Sequence, residues 1–160
     1  MITEIDTNVL IDILEDSAEF YDKSARLLKY QSSLGSLVIS PVVLSEILVF
    51  FLHKHEKKQA SLKLEEFLNS LGIEIVPFDK EDFTSAAESW LKFSPKNEVA
   101  CPNCGTINAF SCKKCRSVIK WRNHLITDFL IGAHTQNHAD VVLTRDSGYY
   151  KKYFEIRILP

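Results

Sequence analysis

The amino-terminal segment reads Ile2-Thr3-Glu4-Ile5-Asp6-Thr7-Asn8-Val9-Leu10-Ile11-Asp12. Its first four residues predict a short β-strand, and the turn and helix that follow are predicted over residues 7–14. Asp6 therefore stands at a strand end, beside apolar residues. Carboxylates are seldom placed in apolar settings without a partner, because removing the charge from water is costly. The segment predicts both the first strand of a sheet and the first member of an acidic site.

Three more acids stand in apolar surroundings further along the chain. Glu46 is the one charge in the run from Val42 to Leu52, Asp128 precedes an apolar stretch at the start of a predicted helix, and Asp146 follows the strand-like residues 141–144. Ordinary patterning does not place charges there. One shared cationic guest, most simply a divalent metal, would explain all four acids.

Short apolar runs alternate with helix-like stretches along the rest of the chain. Residues 37–39, 73–76 and 141–144 predict further strands, and Ser40-Pro41 predicts a helix start with Ser as the cap. This alternation predicts an α/β sandwich with a mostly parallel sheet. Further helices are predicted over residues 17–34, 57–71 and 126–137, and another from Asp79 or Asp82 to Phe93. Asp16, with Glu19 as its partner, is the predicted cap of the helix over residues 17–34. Residues 153–159 predict an edge strand.

Length and composition set the class of protein. The 160 residues suit one domain, 1–160, and hydrophobic and charged fractions of 46% and 25% are those of a globular chain. The net charge of −2 argues against a broadly basic nucleic-acid coat, although it permits a local basic surface. No signal peptide is recognised, and the longest apolar run is shorter than the ~20 residues that span a bilayer. We therefore expect a soluble cytoplasmic protein without a membrane partner.

The acidic set has the chemistry of a hard-oxygen metal site. Four carboxylates without a matching histidine suit Mg²⁺ or Mn²⁺ and suit zinc poorly. Two such ions can activate water and stabilise the leaving oxygen of a phosphodiester. Asp6 and Asp146 are assigned to the first ion, Asp128 to a bridging or flanking place, and Glu46 to the second ion or the water. The neighbouring hydroxyl residues predicted to hold carboxylates or a metal-bound water are Thr7 and Thr144.

Each acid also has a structural explanation to be weighed. Asp128 alone is equally well explained as a helix N-cap, and Asp6 and Asp146 could be turn residues. Glu46 has the weakest alternative, since nothing structural accounts for a charge in so apolar a helix. The four acids together, at strand ends and helix starts, favour the metal site.

Four motifs resemble those of one protein family. Residues 6–12 look like the opening of PIN-domain ribonucleases, residues 40–46 their second motif, residues 127–133 the third and residues 143–146 the fourth. The motifs occur in the family's order over nearly the whole chain, and the closest subgroup is that of VapC-type toxins of toxin–antitoxin pairs. Two departures are Gly132, where many relatives have Ala, and Glu4, a charge in a strand that is usually more apolar.

The resemblance implies a PIN-like three-layer α/β/α fold and a Mg²⁺- or Mn²⁺-dependent endoribonuclease. It also implies that the four acids are the catalytic quartet, and that the protein is held inactive by a cognate antitoxin and often dimeric. A ribosomal- or transfer-RNA-processing nuclease is the same-class alternative, since zinc ribbons also accompany PIN domains there. A non-catalytic RNA- or protein-binding module is the alternative of another class, and the four acids speak against it.

Residues 96–122 lack a helix or strand period and are predicted to be an insert. Their cysteines have the spacing C-x2-C-x7-C-x2-C, which predicts a closed tetrahedral zinc site of structural character. Two disulfides are the alternative, and they would require an oxidising setting. The predicted zinc ligands are Cys101, Cys104, Cys112 and Cys115.

The insert is also basic. Five cations and no acid lie between Val99 and Thr127, and Phe110 and Trp121 add aromatic faces. Cations attract phosphate and aromatics stack on unpaired bases, so the insert is hypothesised to hold RNA beside the acidic site. A solvated basic face, or a contact to a second copy or an antitoxin, is the alternative. The cations are Lys113, Lys114, Arg116, Lys120 and Arg122.

Two histidine pairs remain. His53 and His55 are interpreted as a solvated helix end. His134 and His138 have i, i+4 spacing and could share an ion, but without a third ligand they are interpreted as surface residues.

Overall fold

The computed structural model describes residues 1–15, 19–93, 98–101, 103–119 and 126–159. The strands in chain order are β1 Ile2–Ile5, β2 Ser36–Ile39, β3 Ile73–Ile75, β4 Glu98–Ala100, β5 Ile107–Ala109, β6 Val141–Leu143 and β7 Arg157–Leu159. The helices are α1 Thr7–Glu15, α2 Tyr21–Leu34, α3 Pro41–Leu52, α4 Lys57–Leu71, α5 Lys80–Lys92, α6 Ile126–His138 and α7 Ser147–Tyr153.

Five strands form one sheet in the order β3-β2-β1-β6-β7, and every neighbouring pair in it is parallel. The crossovers that contain α1 to α4 run from β1 toward β3, whereas those that contain α5 to α7 run the opposite way, from β3 to β6 and from β6 to β7. Because parallel crossovers are right-handed, the two groups of helices cover opposite faces. The predicted α/β fold with a mostly parallel sheet is confirmed.

Local sequence signals begin and end several helices. The Ser40 side chain caps α3 by accepting a hydrogen bond from the Val43 amide (3.4 Å), and Pro41 is the first helical residue. Asp79 and Asp82 form a reciprocal capping box at the start of α5. Gly72 ends α4 in the left-handed conformation (φ 64°), which costs glycine nothing.

An aromatic cluster joins α5, α6 and α7 on one face of the sheet. The Phe129 ring, fully buried, lies 5.2 Å from Trp90, 5.5 Å from Phe93 and 5.4 Å from Tyr153, measured between centroids. Phe154 packs so closely that a Cβ added to residue 132 would lie 2.3 Å from its ring. The glycine that departs from the family pattern therefore makes room for an aromatic side chain.

Several predicted boundaries differ from the structure. Helix α2 begins at Tyr21 and not at residue 17, and the proposed cap Asp16 lies outside the described residues. Helix α7 is not predicted from the sequence, because its seven residues make only about two turns. Tyr150 is the deeply buried side chain among those described in this helix. The edge strand is confined to residues 157–159.

Residues 98–119 contain a small antiparallel unit. Strands β4 and β5 pair with each other in a two-stranded sheet of their own, and Ser111 bridges to Val118 beyond it. Among the described residues, no helix combines the length and apolar character needed to cross a bilayer.

Candidate active site

The four predicted acids line one cavity at the carboxyl ends of β1 and β6. These strands are parallel neighbours, and the Asp6 amide donates to the Leu143 carbonyl (3.0 Å), so the segments after both strands leave the sheet side by side. Glu46 comes to the cavity from α3, and Asp128 from α6. The cavity has a volume of about 380 Å³ and is lined by Asp6, Thr7, Asn8, Ile11, Glu46, Asp128, Arg145, Asp146 and Tyr150.

Asp6 is the buried member of the set, with 7% of its surface exposed. One carboxylate oxygen accepts from the Thr7 amide (2.8 Å), and the other accepts from the Asn8 side chain (2.6 Å) and the Thr144 hydroxyl (2.6 Å). Burial nevertheless raises the pKa of Asp6 to about 6, although the Thr144 and Thr7 hydrogen bonds oppose this. The hydrogen bonds orient the carboxylate without compensating its charge.

The neighbouring acids add to this excess of negative charge. Repulsion from Glu46 and Asp128 contributes to the raised pKa of Asp6. Glu46 lies in the second turn of α3, partly buried, and accepts a hydrogen bond from the Thr7 hydroxyl. Asp146 is exposed, and its amide donates to the Thr144 hydroxyl (3.0 Å).

Asp128 occupies the first turn of α6 and not a cap position, since the described helix already begins at Ile126. In the first turn its negative charge meets the positive end of the helix dipole. The side chain is partly buried and faces the cavity with the other three acids.

The hydroxyls of Thr7 and Thr144 donate hydrogen bonds to carboxylates of the cavity. Thr7 donates its side-chain hydrogen to Glu46, and its amide to Asp6. The Thr144 hydroxyl donates to the Asp6 carboxylate and accepts from the Asp146 amide, so one hydroxyl links the segments that carry these two acids. The contacts explain why Thr is found at both places.

Two further residues of the site were not singled out from the sequence. The Asn8 side chain donates to Asp6 and Thr144 (3.1 Å) and accepts from the Arg145 amide (3.1 Å), joining the segments after β1 and β6. The Arg145 guanidinium lies 3.2 Å from Asp12 and over the Phe20 ring (4.5 Å). The sequence signal for them is their closeness to predicted acids: Asn8 lies two residues after Asp6, and Arg145 directly precedes Asp146.

The donor set fits a hard divalent cation. Carboxylate oxygens are the ligands that Mg²⁺ and Mn²⁺ prefer, and the raised pKa of Asp6 shows a charge that its hydrogen bonds leave uncompensated. Arg145, the cation at the cavity edge, is paired with Asp12. The residues that could hold such an ion are therefore the four acids of the cavity.

The cysteines lie in two turns of the same geometry. In the first, the Gly105 amide donates to the Cys101 carbonyl (2.8 Å) and the Cys101 amide to the Thr106 carbonyl (2.8 Å). The second repeats this between Arg116, Cys112 and Ser117, at 2.8 and 2.9 Å. The residue after the second cysteine has a positive φ in both turns, 72° and 62°.

All four cysteines are free thiols. A hydrogen bond with the Ser117 hydroxyl lowers the pKa of Cys115 to about 7, and the Thr106 hydroxyl lowers that of Cys104. A lowered thiol pKa favours the thiolate that binds metal. Asp79, Asp82 and His138 form a group of three potential ligand atoms within 4.8 Å of one another. Among the described residues, neither the cysteine sulfurs nor the acids of the cavity are gathered as closely as this.

The described cations of this unit, Lys113, Lys114 and Arg116, are exposed, as is Phe110. Lys120, Trp121 and Arg122 lie outside the described residues. The structure does not bring the described cations into the acidic cavity.

The interpretation of His134 as a surface residue is wrong. Its side chain is fully buried, because α6 turns this face toward the sheet, where Glu4 provides a hydrogen-bond partner at 2.8 Å. His138 is partly exposed and pairs with Asp82 at 2.9 Å. The Asp82 carboxylate belongs to the capping box of α5 and also accepts from Asn137 (2.8 Å), which accounts for this group without an ion.

The buried charge of Asp6 predicts how stability depends on pH in the metal-free protein. The pKa of Asp6 is higher in the folded chain than in the unfolded chain, so the folded chain binds the proton more tightly. The free energy of unfolding therefore falls as pH rises from about 4 through 6, where the folded chain loses this proton. The full loss corresponds to about 3 kcal/mol. Asp6→Asn should remove this loss and make the metal-free protein more stable at pH 7.

Urea unfolding with a chelator, measured from pH 4 to 7, tests the expectation. Asp22→Asn, at an exposed position of α2, is the control and should keep the wild-type dependence. An identical pH dependence in the wild type and Asp6→Asn would contradict the assignment of uncompensated charge to Asp6.

Comparison with known proteins agrees with this architecture. The family model of the PIN domain matches residues 4–155. No curated protein sequence gives a significant match. Solved structures with the same fold include VapBC2 of Rickettsia felis bound to a promoter DNA fragment (19% identity, TM-score 0.62, covering 99% of this chain and 98% of that one).

Two further structures share the fold. DNA-bound VapBC of Salmonella typhimurium has 15% identity and a TM-score of 0.63, covering 99% of this chain and 97% of that one. The sarcin-ricin-loop-cleaving toxin VapC20 of Mycobacterium tuberculosis has 13% identity and a TM-score of 0.57, covering 97% and 98%. At these identities the similarity to the solved structures shows the fold alone. The family model, however, matches almost the whole sequence, and the chain therefore belongs to the PIN-domain family.

Proposed function

We propose that the protein is a metal-dependent endoribonuclease that hydrolyses RNA phosphodiester bonds at the acidic cavity. The observation that carries this proposal is the convergence of Asp6, Glu46, Asp128 and Asp146, from four separate parts of the chain, on one open cavity. Proteins of the PIN family are generally nucleases, and the similar VapC20 is a toxin that cleaves RNA of the sarcin-ricin loop.

Each acid has a role that follows from its surroundings. Asp6 and Asp146, linked through the Thr144 hydroxyl, would hold the first ion, with Asp128 in a bridging or flanking place. Glu46, oriented by Thr7, would hold a second ion or direct the attacking water. Bound Mg²⁺ or Mn²⁺ supplies a Lewis acid that lowers the pKa of water and neutralises charge on the phosphate.

The protein is further proposed to be the toxin of a toxin–antitoxin pair. Similar folds occur in VapBC2 of Rickettsia felis, in VapBC of Salmonella typhimurium and in a toxin–antitoxin complex of Klebsiella pneumoniae. A cognate antitoxin would then be the protein partner, and a homodimer would be the assembly. Action in the cytoplasm, where RNA substrates are present, follows from this role.

Residues 96–122 are proposed to be a zinc-binding insert in the single PIN-like domain 1–160. Two turns of one hydrogen-bond pattern, each presenting a C-x2-C pair, support a shared four-thiolate ion. Such a closed site would hold the shape of the insert without taking part in hydrolysis. The insert's cations, Lys113, Lys114, Arg116, Lys120 and Arg122, are proposed to contact RNA phosphates.

Cleavage of a mixed RNA pool tests the catalytic proposal. We expect cleavage with Mg²⁺ or Mn²⁺ and none with a chelator, and Asp6→Asn should lower the rate by about a hundredfold or more, because a buried ligand carboxylate is lost. Asp22→Asn is the matched control and should cleave like the wild type. Cleavage that persists in the chelator, or in Asp6→Asn at the wild-type rate, would overturn the mechanism.

Metal content tests the zinc proposal. Native mass spectrometry should find one zinc per chain in the wild type, and Cys112→Ser should lose it because the tetrahedral site needs all four thiolates. Ser111→Ala, next to this cysteine, should keep the zinc. Purified protein without zinc, able to take none up, would contradict the assignment.

RNA affinity at several salt concentrations tests the cations of the insert. The triple change Lys113→Ala, Lys114→Ala and Arg116→Ala should weaken binding and reduce the slope of log affinity against log salt by about 2, since each phosphate contact in single-stranded RNA contributes ~0.7. The control triple, at exposed lysines elsewhere, should leave the slope unchanged. It consists of Lys29→Ala, Lys57→Ala and Lys58→Ala.

The assay uses an RNA shown to be cleaved by the wild type, with the metal replaced by a chelator so that binding is separated from hydrolysis. If the two triple variants bind RNA alike at every salt concentration, the cations of the insert do not contact RNA.

A further inference from the structure

A hydrogen-bonded pair of ionisable residues is buried in the centre of the domain. Glu4 and His134 have no exposed surface, and their side chains meet at 2.8 Å between Oε2 and Nδ1. The other Glu4 oxygen accepts from the Ser40 amide (3.0 Å), and His134 Nε2 lies 3.0 Å from the Val76 carbonyl. The pair thus contacts the backbone of two other segments.

The arrangement requires hydrogens on both sides of the imidazole. His134 faces a carboxylate with one ring nitrogen and a carbonyl with the other, and both are acceptors. Nε2 donates to Val76, while the second hydrogen lies between Nδ1 and Glu4. Whether that hydrogen belongs to the ring or to the carboxyl, every polar atom of the pair has a partner.

The same contacts reach three of the elements that carry the acidic quartet. Glu4 lies on β1, two residues before Asp6. Through Ser40 it contacts the N-cap of α3, the helix that presents Glu46. Strand β1 is also the middle strand of the sheet, between β2 and β6.

His134 supplies the third element. It lies on α6, which presents Asp128 six residues earlier, and its contact with Val76 also fastens that helix to the segment after β3. The ring cannot turn freely, because Phe78 meets it edge-on (5.3 Å between centroids) and His138 lies 4.6 Å from it. The position of α6 over the sheet is therefore set by directional contacts.

Apolar packing alone would not call for such a pair. A buried ionisable pair is costly to desolvate and often contributes no more stability than apolar side chains of similar volume. Hydrogen bonds, however, constrain both distance and direction, which apolar contacts do not. A requirement for accurate placement explains why this site contains Glu and His.

We propose that Glu4 and His134 are positioning residues that set the spacing of Asp6, Glu46 and Asp128 for a divalent ion. The proposal rests on the proposed function, because the spacing matters only if the acids share a metal. Both side chains are fully buried and neither lines the cavity, so the pair would act on a bound ion only through the acids that it places.

The structure offers a matched control on the same strand. Thr3, next to Glu4, points to the opposite face of β1 and donates to Gln31 on α2 (3.2 Å). Both of these side chains are buried, as are those of the positioning pair. Since α2 carries none of the four acids, losing this hydrogen bond should affect stability without affecting the metal site.

The test is calorimetric titration of Mn²⁺ into chelator-treated protein without RNA, together with unfolding temperatures and RNA cleavage. His134→Leu should weaken Mn²⁺ binding about tenfold and lower kcat more than it changes KM. Gln31→Leu should lower the unfolding temperature but leave Mn²⁺ affinity unchanged. Glu4→Gln should stay within about threefold of the wild type, because an amide can accept from Ser40 and donate to Nδ1 of a neutral ring.

His134→Gln, which retains polar atoms in the same space, replaces His134→Leu if the latter fails to fold, with the same expectation. If the His134 variant and Gln31→Leu both bind Mn²⁺ like the wild type, the pair is merely structural and the inference is overturned, while the proposed function stands. Wild-type protein that neither binds Mn²⁺ nor cleaves RNA would overturn the proposed function, and the positioning role with it.

Discussion

The Asp6 carboxylate is held by three hydrogen bonds, from Thr7 and Asn8 after β1 and from Thr144 after β6. These bonds join the two segments that leave the carboxyl edge of the sheet and present Asp146 beside them. They orient a buried charge whose pKa is raised mainly by burial, and no described cation is among the groups that lower it. The rest of the domain must therefore tolerate concentrated negative charge at this edge, which makes a cation the natural complement of the fold.

The two faces of β1 connect this edge to the helices in different ways. Thr3 contacts α2 on one face, whereas Glu4 contacts α6 on the other face and also accepts from the Ser40 amide, directly after β2. Period-2 alternation along the strand places these adjacent side chains on opposite faces. The Glu4 contacts lead to two elements with site acids, to α6 directly and to α3 through its N-cap, whereas the Thr3 contact leads to α2, which has none.

The cysteine turns use a different chemistry from the acidic cavity. Thiolates form closed sites with soft or borderline ions, whereas carboxylates in an open cavity suit hard ions that retain water. A chain carrying both sets keeps them separate by position: the thiols lie in the unit after β4, and the acids at the edge of the main sheet. Neither donor set would serve well for the other's ion.

The sequence by itself determined the features that depend on neighbouring residues. Alternating strands and helices, the Ser40-Pro41 cap and the acids after strands are local patterns, and they were enough to predict the parallel sheet and to select the four acids that line the cavity. Only the tertiary structure decided the contacts between distant segments. The bridge from Asn8 to Arg145 and the burial of His134 against Glu4 join residues more than a hundred positions apart. Helical spacing could not show which face of α6 is buried, because that depends on the strand beneath it.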